Sequence, residues 1–545
     1  MNPLNLGNTL DEEVMNFFNE EKYIAWQEKT YHVSKQMADK FEAVTDKPEI
    51  VIIGDYDVDG AMSTKEMVTL LHILHPNSKI SYIVPKRFTD GYGISSNITD
   101  ALISQFKPED TCVVTVDNGI SQFTALNRLF ESGFSIAMTD HHMPQTVEDG
   151  SLRLPFADIL VNPHIRDEKH KNDFEFEHYC GAGVVYQLAK QLIDDEEVLN
   201  REFLPYAAIA TIADVVPLIE DNWCLVHKFL ENIGEFLPEE LNFTYKPATY
   251  IDEEDIGFSI CPVLNAAGRL LDNGAEKVVS YLFNPTEEEK THLLELNQQR
   301  KDLTAEQTNL VLEYIAEHNI GEMEPICVNI PGLHHGIVGI IAGRVTETFG
   351  RACMICSDGK GSGRAPEDFN IFNYGTEHME LFDKFGGHPG ACGFSISDEN
   401  FAKLAEFSKY KEVIRKKHFD IRLDKTQISE FYQSTKKFRP FGESNPAPKC
   451  MVQIRPTDKI GWMGKENPVH LYVRNNDGSK VVHFYHLDPD TGRSGLADER
   501  SFDGVGKVNL NFFRGEVTPQ LNIEEVYDPE EEGPAMNSAV PNMGR

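Results

Sequence analysis

The sequence predicts an α/β protein, in which a parallel-sheet domain is followed by a helical connector, a smaller α/β domain and a C-terminal all-β, barrel-like module. Three patterns in the 545 residues indicate this fold. Short apolar strands alternate with amphipathic helices from Pro48 to Leu218, glycine-rich turns separate the apolar runs from PICVNI to ACGFSI, and short strands with turn sequences follow. By length, the chain divides into about three or four domains.

The parallel sheet is predicted from five short apolar runs. They read EIVIIG, KISYIV, TCVVTV, FSIAMT and ADILVN. After the first run, one face of a helix is marked at helical spacing by Met67, Leu70, Leu71 and Leu74. Further along, LLELNQQRKDLTAEQTNLVLEYIAEHN predicts a long helix that connects two lobes.

These patterns also set the expected domain limits. We predict an N-terminal helical segment (1–47), the parallel-sheet domain (48–220), a helical region with the connecting helix (221–320), the second α/β domain (321–408), the all-β module (409–527) and an acidic disordered tail (528–545).

Composition narrows the class of protein. The chain has no apolar run long enough for a membrane span and no signal-peptide pattern at its start, and its nine cysteines lie in apolar runs, so we expect free thiols and a cytoplasmic protein. Cys353 and Cys356 form a CxxC that is typical of a buried strand rather than a zinc site. The net charge of −36 argues against a general nucleic-acid coat protein but leaves room for a local basic groove.

Three aspartates follow the first predicted strand in IVIIGDYDVDGAMS, namely Asp55, Asp57 and Asp59. Ligands of open α/β sheets bind beyond the carboxyl ends of the strands. Alternate residues of an extended segment point the same way, so the three carboxylates can converge, and cations must then neutralise them. A solvated acidic turn is an alternative. A calcium loop is another, because Glu66 has the required spacing, although an EF-hand loop follows a helix rather than a strand.

A strand that ends in an acid recurs along the chain. It appears in VVTVDNG with Asp117, in IAMTDHHMP with Asp140, His141 and His142, and in IATIADVVPL with Asp214. Carboxylates and imidazoles together suit two divalent cations, with Mn²⁺ preferred and Mg²⁺ as the alternative. Two such ions, about 3.5–4 Å apart, activate a water and stabilise the charge of a phosphoryl displacement.

The motifs DYDVDG, VDNG, DHH and ADVVPL, in this order, resemble those of the DHH phosphoesterase superfamily. The resemblance implies a metal-ligand set of five aspartates and one histidine: Asp55, Asp57, Asp59, Asp117, His141 and Asp214. It also implies that His142 faces the scissile phosphate or its leaving group and that Asp140 orients His141. The expected catalytic residues are therefore Asp117, Asp140 and His142.

The segments RFTDGYGIS, CGAGVVYQL and LNAAGRL are similar to parts of the RecJ single-strand exonucleases, one branch of that superfamily. By this resemblance Arg87, Asn265 and Arg269 are candidate phosphate contacts.

The segments LHHGIVGIIAGRV, GKGSGRAP and FGGHPGACGFSI resemble the DHH-associated domain, whose glycine-rich turns approach phosphates closely. The resemblance implies phosphate contacts at His334, Ser362, Arg364 and His388. The chain departs from the family pattern at Leu333, where Trp is usual, and at Pro389 and Cys392, in a run that is usually rich in alanine.

The segments FRPFGESNPAPK and NFFRGEVTPQLNIEEV resemble the RecJ-type oligonucleotide-binding (OB) barrel. Such barrels follow single strands with basic grooves and aromatic side chains. The basic segment KYKEVIRKKHFDIRLDK, followed by TKKFRPF, predicts a groove of this kind. Phe438 and Phe441 would stack on bases there or pack in the core.

The resemblance implies a 5′-to-3′ exonuclease that releases 5′-mononucleotides from single-stranded DNA by two-metal catalysis, in DNA repair, recombination or replication. One alternative is a phosphodiesterase for short oligonucleotides or cyclic dinucleotides, or a pyrophosphatase, none of which needs a strand-binding module. Another is a non-catalytic replication scaffold, which would be free to lose its ligands. We expect a monomer that binds single-stranded DNA and no membrane, with a helicase or a single-strand-binding protein as candidate partners.

Overall fold

The computed structural model describes residues 10–91, 93–147, 149–166, 173–412, 418–455, 458–463, 469–474, 480–487, 502–513, 515–527 and 535–536. The chain forms two compact units. The first spans Met1–Pro85, Asp90–Cys261 and Lys416–Arg545, and the second spans Lys86–Thr89 and Pro262–Arg415. None of the described helices combines the length and the hydrophobicity that crossing a bilayer requires.

The first part of the chain alternates strands and helices. Its strands are β1 (Glu49–Ile53), β2 (Lys79–Ile83), β3 (Thr111–Thr115), β4 (Ser135–Thr139), β5 (Gln145–Thr146), β6 (Leu152–Arg153) and β7 (Ile159–Val161). Its helices are α1 (Leu10–Phe18), α2 (Glu20–Glu28), α3 (Lys35–Thr45), α4 (Val58–Leu74), α5 (Ser96–Gln105), α6 (Phe123–Glu131), α7 (Gly181–Leu192), α8 (Glu196–Glu202), α9 (Leu204–Ala213), α10 (Glu220–Glu231), α11 (Ile233–Phe236) and α12 (Glu253–Asp255).

Five of these strands form one sheet in the order β2-β1-β3-β4-β7, and every pair is parallel. The predicted parallel sheet is confirmed, and each strand lies inside the apolar run that predicted it. Val51, Val113 and Ile136 pack with the apolar side of α5 and α6, while α3, α4 and α7 also contact the sheet. The inner strands β1, β3 and β4 are almost entirely buried, as expected for parallel strands covered on both faces, and their sequences are therefore mostly apolar.

The run IATIADVVPL was predicted as a strand, and this is wrong. Its first half, residues 209–213, forms the end of helix α9, which has Pro205 in its first turn and Ala207, Ala208 and Ala210 inside. Alanine favours a helix, and Pro is tolerated in a first turn. Because α9 packs against α4 and α7, it is apolar on nearly all sides, and such a run has no periodicity that separates a buried helix from a strand.

The second unit contains a smaller mixed sheet. Its helices, the first of which begins at the unit boundary, are α13 (Cys261–Leu270), α14 (Gly274–Phe283), α15 (Glu287–His318), α16 (Val338–Phe349), α17 (Ile371–Glu377) and α18 (Asp398–Ala405). Its strands are β8 (Met323–Glu324), β9 (Ile326–Asn329), β10 (Cys353–Ser357), β11 (Lys360–Arg364), β12 (Phe382–His388), β13 (Ala391–Ile396) and β14 (Lys409–Tyr410).

The order of this sheet is β12-β13-β11-β10-β9, and only β9 and β10 run parallel. The predicted long helix is α15, which packs through Val311 and Ile315 on α16 and β9. Cys353 and Cys356 lie buried on β10 as free thiols. The interpretation of their CxxC as part of a strand is therefore confirmed.

The C-terminal part is mainly β-structure around one helix, α19 (Ile428–Thr435). Its strands are β15 (His418–Phe419), β16 (Ile421–Leu423), β17 (Cys450–Ile454), β18 (Lys459–Met463), β19 (Val469–Arg474), β20 (Lys480–Leu487), β21 (Phe502–Phe513), β22 (Glu516–Tyr527) and β23 (Ala535–Met536). Seven of them form a mixed sheet in the order β16-β17-β21-β22-β20-β19-β18. The predicted turn NNDGSK and the acidic tail lie largely outside the described residues.

The core of this C-terminal part also includes the N-terminal helices. Phe18 on α1 and Trp26 on α2 lie in one apolar cluster with Phe438, Val452 and Leu521. The rings of Phe18 and Phe438 stack with their centroids 4.3 Å apart. Of the two fates considered for Phe438, packing in the core is the one observed.

Candidate metal centre

Three loops at the carboxyl ends of neighbouring strands bring the predicted ligands together. Asp55 and Asp57 follow β1, Asp117 follows β3, and Asp140 and His141 follow β4 directly. The three strands lie side by side in the sheet. Their loops therefore meet at the sheet edge where open α/β proteins bind ligands.

The start of α4 fixes the carboxylates of Asp57 and Asp59. Asp57 caps the helix, accepting the Gly60 amide hydrogen at 3.0 Å. Asp59 lies inside the turn and is buried, and its two oxygens accept the amide hydrogens of Gly181 at 2.6 Å and Ala182 at 2.8 Å, at the start of α7. Asp59 thus joins the two helices, and each of its oxygens keeps a second lone pair for a metal.

Glu66, the residue on which a calcium loop would depend, lies inside α4 and is fully buried. The aspartates precede and begin a helix instead of occupying a loop between two helices. The calcium-loop alternative is therefore wrong.

The imidazole of His141 lies among three carboxylates. Its Nε2 is 3.1 Å from Asp117 Oδ1, 3.6 Å from Asp214 Oδ2 and 3.7 Å from Asp59 Oδ2. Asp214 comes from the end of α9 rather than from a strand. Three groups have ligand atoms within 4.8 Å of one another: Asp55, Asp57 and Asp117; Asp59, His141 and Asp214; and Asp117, His141 and His142.

The electrostatics of this cluster favour bound cations. Burial raises the pKa of Asp117 well above its usual range, and the charges of Asp59, Asp57, Asp55 and Asp214 raise it further. The pKa of Asp214 is raised in the same way, first by burial and then by Asp59 and Asp57. Like charges this close repel one another unless protons or cations neutralise them.

The neutral form of His141 is suited to bind a metal. Burial lowers its pKa, and the nearby His142 lowers it further. Imidazole and carboxylate ligands together fit Mn²⁺, and carboxylates alone fit Mg²⁺. The donor set therefore fits divalent cations, and the assignment of each ligand stays a prediction.

Asp140 supports His142 rather than the ring of His141. Its buried Oδ1 lies 2.7 Å from His142 Nδ1 and accepts the amide hydrogens of His141 and His142, while Oδ2 accepts that of Ile120. Because a carboxylate only accepts, His142 Nδ1 carries the hydrogen. We expected Asp140 to orient His141, but the imidazole that Asp140 holds is that of His142, and its hydrogen bond with His141 involves only the backbone amide of that residue.

The charge of Asp140 acts on the imidazole it holds. Burial would lower the pKa of His142, but the hydrogen bond and the charge of Asp140 outweigh it and raise this pKa to about 9. Burial would likewise raise the pKa of Asp140, and the contact with His142 lowers it instead. The side chain of His142 is 43% exposed.

Two supporting residues were not predicted. The buried Asn118 amide donates to the carbonyls of Ile53, Gly54 and Val116, which ties the end of β1 to that of β3. Gly181 lies so close to Asp117 that an added Cβ would be 2.6 Å from the Asp117 Cβ. Asn118 lies in the motif VDNG and Gly181 in the motif CGAG, but the spacing of these motifs does not reveal the contacts.

The predicted phosphate contacts lie in the second unit. Arg269 Nη1 donates to the carbonyl of Gly336 at 3.2 Å, and a Cβ on Gly336 would lie 1.9 Å from the Arg269 carbonyl oxygen. Asn265 precedes Arg269 by one turn of α13 and shares its face. The half-buried Arg87 lies in the segment Lys86–Thr89, which belongs to the same unit.

Arg364 and His388 lie in the smaller sheet, where both pair with Ala391 of β13, from opposite sides. A Cβ on Gly339, in the first turn of α16, would be 3.0 Å from Arg364 Nη2 and 3.5 Å from the Oγ of Ser362. Two side chains of the predicted set therefore face the start of a helix, a position that favours anions.

Both predicted histidines of this unit are neutral donors. The Gly336 amide donates to His334 Nδ1 at 3.1 Å and the Gly390 amide donates to His388 Nδ1 at 3.3 Å, so Nε2 carries the hydrogen in each ring. Partial burial lowers the pKa of both rings, aided by the charge of His335 for His334 and of Arg364 for His388.

Several cations of the basic segment are already paired. Lys425 binds Asp458, Lys437 binds Glu20, and Arg439 is buried against Glu253 at 2.8 Å. The predicted groove is therefore not supported at these positions. Residues 413–417, which hold three further cations, lie outside the described residues.

The parallel sheet with its cluster of aspartates and histidine defines a metal-dependent phosphoesterase of the DHH type. Family models match in three places: the DHH family, N-terminal domain, at residues 49–211; the DHHA1 domain at 324–413; and the RecJ OB domain at 419–525. The chain belongs to the RecJ family of single-stranded-DNA-specific exonucleases. It is 32% identical to RecJ of Haemophilus influenzae over 539 residues. The match covers 89% of this chain and 88% of that protein.

Two further comparisons agree with this family. RecJ of Bacillus subtilis is 27% identical over 515 residues, and the match spans 90% of this chain and 63% of that longer protein. The crystal structure of RecJ from Thermus thermophilus in complex with Mn²⁺ superposes with a TM-score of 0.69, at 22% identity, over 95% of this chain and 78% of that one. At this identity the likeness establishes the shared fold.

Proposed function

We propose that this chain is a single-stranded-DNA-specific exonuclease that works from the 5′ end, releases 5′-mononucleotides and uses two divalent cations, with Mn²⁺ preferred. The observation that carries the proposal is the convergence of Asp59, Asp117, His141 and Asp214 within hydrogen-bonding and ligand distances, in a chain of the RecJ family. Cations bound there would lower the pKa of a water and stabilise the charge that develops on the phosphoryl group.

The protein's own groups prepare the reaction. Asp140 holds the protonated Nδ1 of His142 in place, and a doubly protonated His142 is suited to protonate the departing oxygen from Nε2. Bound cations would lower the raised pKa of His142 by charge repulsion and make that proton easier to give. We assign contacts with non-bridging phosphate oxygens to Arg269, Arg364 and the Nε2–H groups of His334 and His388.

The polymer substrate, the partners and the setting are proposed on separate grounds. The C-terminal sheet matches the RecJ OB domain, which supports binding of a single strand. Nine free thiols suit a reducing compartment, so we propose cytoplasmic DNA repair, recombination or replication. We propose a monomer and, as candidate partners, a helicase or a single-strand-binding protein that supplies the strand.

The test is a nuclease assay with end-labelled substrates. The purified protein with Mn²⁺ is given a 5′-labelled single strand, its 3′-labelled counterpart, the duplex, a dinucleotide and pyrophosphate. We expect immediate release of labelled mononucleotide from the 5′-labelled single strand and gradual shortening of the 3′-labelled one. Activity confined to the dinucleotide or to pyrophosphate would contradict the proposal.

The matched variant is Asp117→Asn, which keeps the shape of the side chain and removes its charge. Even supporting residues of metal sites typically cost about 10- to 100-fold in activity or affinity when changed, and a ligand should cost more. Unchanged activity of Asp117→Asn would contradict the proposed site while leaving the substrate class open to the same assay.

A further inference from the structure

Asp214 is followed by a strained residue. Val215 has a φ of 56°, in the left-handed region that β-branched residues avoid, and its side chain is 65% exposed. Packing of its own side chain therefore does not hold it in place. Strained residues persist only where the surrounding structure fixes the backbone, and they cluster at functional sites. Helix α9 fixes the backbone that precedes Val215. The backbone that follows Val215 must be held by contacts with another part of the chain.

One such anchor is Leu218 and the turn it contacts; another is the buried Asn222, whose amide donates to the Pro217 carbonyl at 3.0 Å. Leu218 is buried, and its amide hydrogen is donated to the carbonyl of Glu443 at 2.8 Å. Its side chain packs directly on Gly442, where an added Cβ would lie 2.7 Å from Leu218 Cδ1. We call residues Gly442, Glu443, Ser444 and Asn445 the 442–445 turn.

The 442–445 turn is itself rigidly held. Backbone hydrogen bonds join Gly442 and Asn445 in both directions, at 2.9 and 3.2 Å. The buried Asn445 side chain donates to the carbonyls of Pro440 at 2.7 Å and Phe438 at 3.3 Å, and accepts from the Tyr23 hydroxyl at 2.6 Å. The Trp223 indole also donates to the Phe438 carbonyl. The turn is therefore fixed to α2 and α10.

We propose that the 442–445 turn is a positioning element for Asp214. By holding Leu218 it keeps the Asp214–Leu218 loop in its strained form, and that form presents the Asp214 carboxylate to the metal centre. Gly442 and Asn445 are the positioning residues. The C-terminal part thus contributes to metal binding in addition to binding a strand. This inference rests on the metal role proposed for Asp214.

The test measures Mn²⁺ affinity of the full chain by electron paramagnetic resonance of the free ion. Gly442→Ala displaces Leu218, and we expect it to weaken Mn²⁺ binding about tenfold, as changes in supporting residues of metal sites do. Asn445→Ala should act in the same direction. Asn is tolerated in the left-handed region, so Val215→Asn relieves the strain, and Gly442→Ala should then cost less affinity in that background.

Two controls separate the possible outcomes. Phe431→Leu changes another buried residue of the same apolar cluster, on α19, and it should lower the melting temperature while leaving Mn²⁺ affinity unchanged. If Phe431→Leu lost as much Mn²⁺ affinity as Gly442→Ala, the positioning role would be overturned. The same would follow if Gly442→Ala bound Mn²⁺ like the wild type while Asp214→Asn bound it more weakly. Wild-type affinity in Asp214→Asn would overturn the metal role of Asp214 and this inference with it.

Discussion

Glu66 is a carboxyl buried in α4 that the metal centre does not use. Burial raises its pKa well above its usual range, the charge of Asp59 adds to this, and the Ala207 amide and Lys65 offset it only in part. The folded chain therefore holds this proton more tightly than the unfolded chain. The contribution of Glu66 to stability is full below the unfolded pKa and is lost as the pH rises through the folded pKa.

Replacing Glu66 by Gln should remove this pH dependence. Gln resembles the protonated carboxyl, so we expect Glu66→Gln to raise the free energy of unfolding at pH 8, by on the order of 1–3 kcal/mol, with the gain shrinking towards pH 4. Urea denaturation at several pH values measures it. The exposed Glu313→Gln is the control and should change little; a Glu66→Gln effect that does not vary with pH would contradict the account.

The Asp117 carboxylate should destabilise the fold without metal and stabilise it when Mn²⁺ is bound. Its charge is repelled by neighbouring aspartates, so Asp117→Asn should melt at a higher temperature than the wild type without metal. Asn also tolerates the φ of 59° found at this position. Mn²⁺ should raise the melting temperature of the wild type by mass action and that of the variant much less. Equal Mn²⁺ shifts in scanning fluorimetry would contradict this role.

At the residue scale, the sequence predicts which side chains gather but not how they contact one another. Acids at successive strand ends converge in any parallel sheet, so Asp55, Asp117 and His141 could be predicted. The partner of Asp140 could not, because His141 and His142 are adjacent and only the loop geometry decides which ring meets the carboxylate. The role of Asn118 was likewise hidden, since its side-chain amide donates to backbone carbonyls, which no sequence motif marks.

At the scale of elements, the start of α7 is built against the metal centre. Its amides at Gly181 and Ala182 bind Asp59, and Gly181 lies against Asp117. Gly181→Ala would force the helix start away from both carboxylates. We expect at least about tenfold weaker Mn²⁺ binding, measured by titration calorimetry.

The control is Gly343→Ala inside α16, where an added Cβ meets nothing within 4 Å. A helical Gly→Ala change in open space stabilises by roughly 0.5–1 kcal/mol, so it should leave metal binding intact. Equal Mn²⁺ affinity for Gly181→Ala and the wild type would show that the helix start does not set the ligand geometry.

Strands β1, β3 and β4 were predictable because short, mostly apolar runs with β-branched residues, placed between helical patterns, rarely form anything but buried strands. Helix α9 was not, because its alanine-rich run is buried on nearly every side and carries no periodicity. The motif of Asp214 was thus recognised while its element was wrong. A strand and a helix that both end at the same sheet edge deliver a carboxylate equally well.

At the scale of the whole chain, the N-terminal helices complete the core of the C-terminal part. Sequence patterns could not show this, because the two segments are more than 400 residues apart. The amphipathic pattern of α1 indicates that it packs on an apolar surface but not which surface that is. Phe18→Ala should lower the free energy of unfolding by about 3–5 kcal/mol because it leaves a cavity against Phe438 and Phe441.

Urea denaturation followed by tryptophan fluorescence would report this loss, since Trp26 and Trp223 lie in the same cluster. The control is Ile24→Ala on α2, where the side chain is 47% exposed and the expected change is within about 0.5 kcal/mol. Equal losses in the two variants would mean that α1 does not belong to this core.

We propose that the aspartates and His141 hold the cations that make this chain a nuclease. Anomalous X-ray diffraction from crystals grown with Mn²⁺ tests it most directly, with Asp117→Asn crystals for comparison. We expect two Mn²⁺ peaks within coordination distance of Asp117, His141 and their neighbours, and loss or weakening of at least one peak in the variant. Peaks elsewhere on the chain, or a variant map identical to that of the wild type, would contradict it.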